Sequence, residues 1–276
     1  MEVLKNVINI GIDKPFTFLH VTDTHFTETD LTDSEERRLF AKDRRDVLFS
    51  ETRSNVEFIE RYVKEKGYPL YHTGDLIDFF TPENFRRAKS FYENTNMTLI
   101  AGNHEIHTCP NNVFCEEDFT VDLNFREERL DTAQKWFGND IRYFCKEING
   151  VYLVGINNYD YQISAQNFER LKLLSKEGKP IILFMHIPLY SKELYMFSKC
   201  AMLAMPKEIV DGLPEFQQFE QRADKCTYEA VEFIKSNTAF KAIICGHLHF
   251  AFESDITSDI KQYVTGLNSI REITVI

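Results

Sequence analysis

Residues 241–250 read KAIICGHLHF. A short apolar run enters a glycine, and two histidines follow two positions apart. An apolar run of this length, stopped by a turn residue, reads as a strand buried on both faces. Residues two apart on a strand share a side. Taken alone, His247 and His249 are therefore a polar pair at a sheet edge. That reading weakens if the same device recurs along the chain.

It recurs four times. FLHVTDTHF (18–26) places Asp23 and His25 two apart, just past an apolar run. LYHTGDLIDF (70–79) supplies Asp75 and Asp78. LIAGNHEIH (99–107) supplies Asn103, His104 and Glu105, and ILFMHIP (182–188) ends on His186. Of the 8 histidines in the chain, those at 25, 104, 186, 247 and 249 fall inside these strand-end motifs. His20 and His72 lie within the apolar runs and read as hydrogen-bonded core residues. His107 is a weaker candidate for a contact beside the site, with a surface loop as its plainer reading.

The runs FTFLHV (16–21), YPLYH (68–72), MTLIA (97–101), GVYLVGI (150–156), PIILFMH (180–186) and FKAIICG (240–246) are the predicted strands. Between them, 54–67, 83–94, 165–178 and 227–237 have helical spacing, the first and third ending at glycine, a common helix stop. Strands alternating with helices argue for an α/β layered fold. KQYVTG (261–266) and IREITVI (270–276) read as further strands that close a second sheet. The highly charged stretch 27–50 includes a predicted helix. The stretch 188–225 concentrates aromatic and Met residues, among them Tyr190, Tyr195, Met196, Phe197, Met202 and Met205. Both follow strand ends, where loops carry function. Residues 1–276 therefore read as one domain with insertions at about 27–50 and 188–225.

Composition narrows the classes. The chain has 276 residues with 27% charged and 43% hydrophobic side chains, ordinary values for a globular protein. A net charge of −11 disfavours nonspecific attraction to nucleic acid. No stretch reaches the ~18 apolar residues of a membrane span, and no secretory signal is evident at the N-terminus, so a cytoplasmic location is the expectation. None of the 6 cysteines forms a C-x-x-C. Cys109 and Cys115 lie close in one loop and are expected to be reduced, and Cys145 and Cys245, in strand-like runs, are expected in the core.

At the C-terminal edge of an α/β sheet, where ligands bind, three Asp carboxylates and five imidazoles repel or stay unsatisfied unless a cation joins them. A bound metal resolves the conflict, because it needs those groups deprotonated. Nitrogen and oxygen donors without thiolate suit Mn, Fe or Zn at a catalytic site. The ligands are too many for one ion, and two ions sharing a bridging carboxylate account for them.

The ordered set D-x-H (23–25), G-D-x-x-D (74–78), G-N-H-E (102–105), H (186) and G-H-x-H (246–249) resembles the calcineurin-like metallophosphoesterase family. The pattern spans residues 23 to 249. The resemblance implies a four-layer α/β/β/α sandwich of two mixed sheets, with a two-metal centre at the C-terminal strand ends. It implies that Asp23, His25 and His249 bind one ion, that Asp75 bridges, and that Asn103, His186 and His247 bind the other. His104 would act beside the metals as leaving-group acid or phosphate contact, oriented by Asp78, and Glu105 would support the loop. The implied activity is metal-dependent hydrolysis of a small or medium phosphate monoester or diester by a metal-bridging hydroxide. Phe79 stands where phosphoprotein-directed members carry Arg, and Met185 where many cyclic-nucleotide diesterases carry His. Arg37, Arg38, Arg44 and Arg45 could reach a phosphate, or only solvate a helix face. A nuclease with the same metals and a non-catalytic scaffold binding partners through 188–225 are the alternatives.

Overall fold

The computed structural model describes residues 1–106, 123–202 and 224–276. His107, Cys109, Cys115, Met205 and most of the 188–225 stretch lie outside the described residues. Along the chain run β1 (Glu2–Ile8), β2 (Phe16–Val21), α1 (Glu35–Val47), α2 (Thr52–Lys66), β3 (Leu70–His72), α3 (Pro82–Thr95) and β4 (Thr98–Leu99). After a 3₁₀ turn at Asn103–Glu105 come α4 (Leu123–Gln134), β5 (Tyr143–Ile148), β6 (Val151–Ile156), α5 (Ala165–Ser175), β7 (Ile181–Phe184) and α6 (Lys192–Met202). The last described elements are α7 (Lys225–Ser236), β8 (Phe240–Cys245), β9 (Phe252–Asp255), β10 (Lys261–Val264) and β11 (Ser269–Val275).

The strands form two mixed sheets, β1-β11-β2-β3-β4 and β5-β6-β7-β8-β10-β9. β2, β3 and β4 run parallel in the first, and β6, β7, β8 and β10 run parallel in the second. The apolar runs are continuous because both faces of these strands are covered. In β8, Ala242 and Ile244 face the other sheet while Ile243 and Cys245 face the helices. In β7, Ile182 and Phe184 point inward, and Ile181 and Leu183 outward. Phe18, Tyr71, Phe144 and Phe184 form the aromatic centre between the sheets, with Tyr71 and Phe184 at 4.8 Å. Helices α2, α3 and α4 cover the outer face of the first sheet, and α5, α6 and α7 that of the second. The arrangement is the expected α/β/β/α sandwich.

Two expectations change. The final strands do not stay together: β10 joins the second sheet, and β11 crosses to lie between β1 and β2. Buried Arg271 pins the crossing, donating to the main-chain oxygens of Phe252 and Val264. Cys145 is exposed rather than in the core, because β5 is an edge strand that puts only Phe144 fully inside. Cys245 is buried as expected. Among the described residues, no helix is long and apolar enough to cross a membrane.

Candidate metal centre

The parallel strands β2, β3, β4, β7 and β8 all point their C-terminal ends to one rim. Past those ends the loops go on pairing. The amide of Asp23 donates to Gly74 O, that of His25 to Asp75 O and that of Phe26 to Leu76 O, each at 3.0 Å. Gly246 N donates to His186 O at 3.0 Å. Two glycines allow the close approach. A Cβ on Gly102 would strike Asp75 Oδ1 and His186 Cε1, and one on Gly246 would strike Thr22 Oγ1 and Asp23 Oδ2.

The backbone here is unusual. Asp23, His25, Asp75, His247 and His249 all have φ between 48° and 70°. Non-glycine residues rarely take that left-handed region, although Asp and His tolerate it better than most. Each such residue costs on the order of 1–3 kcal/mol and persists where its surroundings enforce it. The strain turns successive side chains inward to a common point.

There the carboxylates divide their oxygens. Asp23 Oδ2 accepts from the amide of His247 at 2.9 Å, and Asp75 Oδ1 from that of His104 at 2.8 Å. The second oxygen of each faces the imidazoles. Asp23 Oδ1 lies 3.5 Å from His249 Nε2 and 3.8 Å from His25 Nε2. Asp75 Oδ2 lies 3.2 Å from His186 Nε2 and 3.7 Å from His25 Nε2. The imidazole nitrogens crowd in pairs: His25 Nε2 and His249 Nε2 at 3.0 Å, His186 Nε2 and His247 Nδ1 at 3.1 Å. Asn103 Oδ1 sits 2.9 Å from His186 Nε2. The candidate ligand atoms of Asp23, His25, Asp75 and His249 lie within 4.8 Å of one another, as do those of Asp75, His186 and His247, with Asp75 common to both groups.

This donor set fits cations. Asp23 Oδ1 is fully buried and has no hydrogen-bond partner, a costly state for an anionic oxygen. The protons are unevenly spread. Burial opposes charge on His25, but the neighbouring Asp23 and Asp78 carboxylates overcome it and raise the pKa to about 10. Burial also opposes charge on His186, and Asp75 overcomes it, raising the pKa to about 9. His247 is pushed down to about 3 by burial and by neighbouring His186, and His249 is lowered by burial and by His25. Burial works against ionisation of Asp23 and Asp75, yet the imidazoles hold both well below the usual carboxylate range. A cation facing each pair of nitrogens would satisfy all of them without protons.

His104 lies at the edge of the group, its Nε2 4.0 Å from Asp75 Oδ2. Its Nδ1 donates to the main-chain oxygen of Asp78 at 2.8 Å. The Asp78 carboxylate is 3.4 Å from that nitrogen and has closer partners: His25 Nδ1 at 3.1 Å and a two-pronged contact from Arg44 at 2.6 and 2.7 Å. Glu105 does support the loop, accepting from the amides of Asp75, Leu76, Ile77 and Gly102. His20 and His72 are buried and bonded to threonine hydroxyls.

Of the four arginines on α1, Arg44 is buried against Asp78. Arg37 donates to Phe80 O, Arg38 to Leu31 O and Asp33 O, and Arg45 to Thr27 O. Asn158 was not anticipated. Its Oδ1 accepts from the amides of His186 and Ile187 at 3.0 Å, and its Nδ2 donates to Ile187 O. The signal was present in the sequence: GVYLVGI is a sixth apolar run, and it too ends in asparagine.

A family model for calcineurin-like phosphoesterases matches residues 16–251. No curated protein matches the sequence. Among solved structures the chain is similar to a dimetal phosphatase from Danio rerio, at 14% identity and TM-score 0.47, covering 91% of this chain and 88% of that one. It is also similar to a purple acid phosphatase from yellow lupin (Lupinus luteus) seeds, at 12% identity and TM-score 0.51, covering 92% of this chain and 44% of that one. The second likeness is one of fold, and this chain spans less than half of the lupin protein.

Proposed function

The chain belongs to the calcineurin-like phosphoesterase family, is therefore a dinuclear metal-dependent phosphoester hydrolase, and we propose that it acts on a small or medium phosphate monoester or diester. We further propose that Asp23, His25 and His249 hold one ion, that Asn103, His186 and His247 hold the other, and that Asp75 joins them. The position of Asp75 Oδ2 between His25 Nε2 and His186 Nε2 carries this reading. Mn, Fe and Zn suit the nitrogen and oxygen donors. When bound, two such ions lower the pKa of a water toward ~7 and neutralise charge on a transferring phosphoryl group.

The chain's own residues supply orientation and a proton. Asp23 and Asp75 each spend one oxygen on a main-chain amide, which fixes the direction of the other. His104 donates from Nδ1 to Asp78 O, so Nε2 is the atom that would exchange a proton with a leaving alkoxide. Phe79 is buried against Phe40, so the position used by Arg in phosphoprotein-directed members offers no phosphate contact. The shared aromatic core supports treating residues 1–276 as one domain.

Turnover of nitrophenyl phosphate and bis-nitrophenyl phosphate by manganese-loaded protein tests the proposal. Hydrolysis of either supports it, and their ratio separates monoesterase from diesterase. Cleavage of DNA with neither ester turned over would favour a nuclease instead.

A further inference from the structure

The carboxylate of Asp78 lies within reach of two imidazoles, and Arg44 decides between them. Arg44 Nε donates to Oδ2 at 2.7 Å and Nη2 to Oδ1 at 2.6 Å. A guanidinium gripping both oxygens fixes the plane of a carboxylate as well as its position. Held this way, Oδ1 accepts from His25 Nδ1 at 3.1 Å. His104 Nδ1 is left to the main-chain oxygen of Asp78. Phe49 completes the support. Its ring stacks on His25 with centroids 4.3 Å apart and planes 13° from parallel, and the Arg44 guanidinium carbon lies 4.9 Å from the centroid of the same ring. Phe49 N donates to Arg44 O, so the two residues are tied through the backbone where α1 ends.

We propose that Arg44, through Asp78, and Phe49, by stacking directly on the ring, are positioning residues that brace His25, so that metal affinity at the His25 half of the centre is set by the 27–50 segment. The inference rests on the reading of His25 as a ligand. A donated Nδ1–H fixes the tautomer that turns the Nε2 lone pair to a cation. Stability alone does not call for such a device, because a buried ion pair is on average no more stabilising than apolar side chains of similar volume. The pair also sits directly behind one imidazole, as an orienting group would.

Manganese titration of chelator-stripped protein tests this, with His25→Ala marking which binding event belongs to that half. Arg44→Met is expected to weaken the same event by roughly 10–100-fold and leave the other unchanged. Arg44→Lys keeps the charge but loses the two-pronged grip, and is expected to follow Arg44→Met. Phe49→Leu, which retains the ion pair, is expected to weaken that event less. Lys42→Met, at an exposed site on the same helix, is expected to match wild type. Unchanged affinities in a folded Arg44→Met variant, or full rescue by Arg44→Lys, would overturn the brace while leaving the proposed function standing. If Arg44→Met does not fold, unchanged affinities in Phe49→Leu overturn it. Wild-type protein that takes up no metal would sink the ligand reading, and the brace with it.

Discussion

His25 and His186 face one shared carboxylate, Asp75, and are held from behind by different chemistry. His25 donates Nδ1 to the side chain of Asp78, which Arg44 grips and Phe49 flanks. His186 donates Nδ1 to the main-chain oxygen of Thr73 at 2.7 Å, and its own amide is held by Asn158. The first arrangement can be retuned by replacing side chains. The second is built into the sheets, since Thr73 follows β3 and His186 follows β7. His25 and His186 are both fully buried, and the outer imidazoles differ: the His249 side chain is 41% exposed, whereas His247 is half-buried. One half of the centre is thus fixed by the fold, and the other is adjusted by a segment laid over it.

The largest effect should come from the residue both halves share. Asp75→Asn is expected to lower metal content and to reduce turnover by on the order of 10³-fold or more; retention of both ions, measured by elemental analysis, would show that the two halves do not share this carboxylate. His104 belongs to neither half. His104→Ala should cost roughly 10²–10⁴-fold in kcat while metal content stays constant, and unchanged kcat would remove it from the mechanism. Asn158→Ala should act through the fold of the second half. It leaves the buried amides of His186 and Ile187 without their acceptor, costing about 2 kcal/mol and lowering Tm by roughly 4–8 °C. A melt equal to wild type would show that the second half is not held as described.

Metal removal gives the most general contrast. In stripped protein the raised pKa values of His25, about 10, and His186, about 9, exceed the unfolded value near ~6.5. Their contribution is fully present below about pH 6.5 and is lost as pH rises through 9 and 10. Stripped protein should therefore lose melting temperature from about pH 7 to about pH 9, while metal-loaded protein, whose imidazoles hold no such protons, should not. Parallel profiles from the two samples would contradict this.

The legible parts of the chain were those under the strongest physical constraint. Central strands such as β7 and β8 must be apolar on both faces, and that shows directly in IILF and FKAIIC. Edge strands are freer: β1 and β9, whose sequences EVLKNVI and FESD carry charge, were not anticipated. The candidate ligands were legible because each follows an apolar run. What lay behind them was not. Arg44 reads as one charge among many on a polar helix, and only the fold shows its side chain turned inward at the spacing of buried Ala41. The orientation of Asp78 depends on that contact, more than 30 residues away in sequence, so no local pattern reports it.

Anomalous diffraction from crystals of the manganese-loaded protein tests the central claim most directly. Two peaks are expected about 3.5–4 Å apart, with the Asp75 carboxylate between them, His25 and His249 on one side, and His186 and His247 on the other. A single peak, or none, with those four imidazoles turned away from one another, would contradict it.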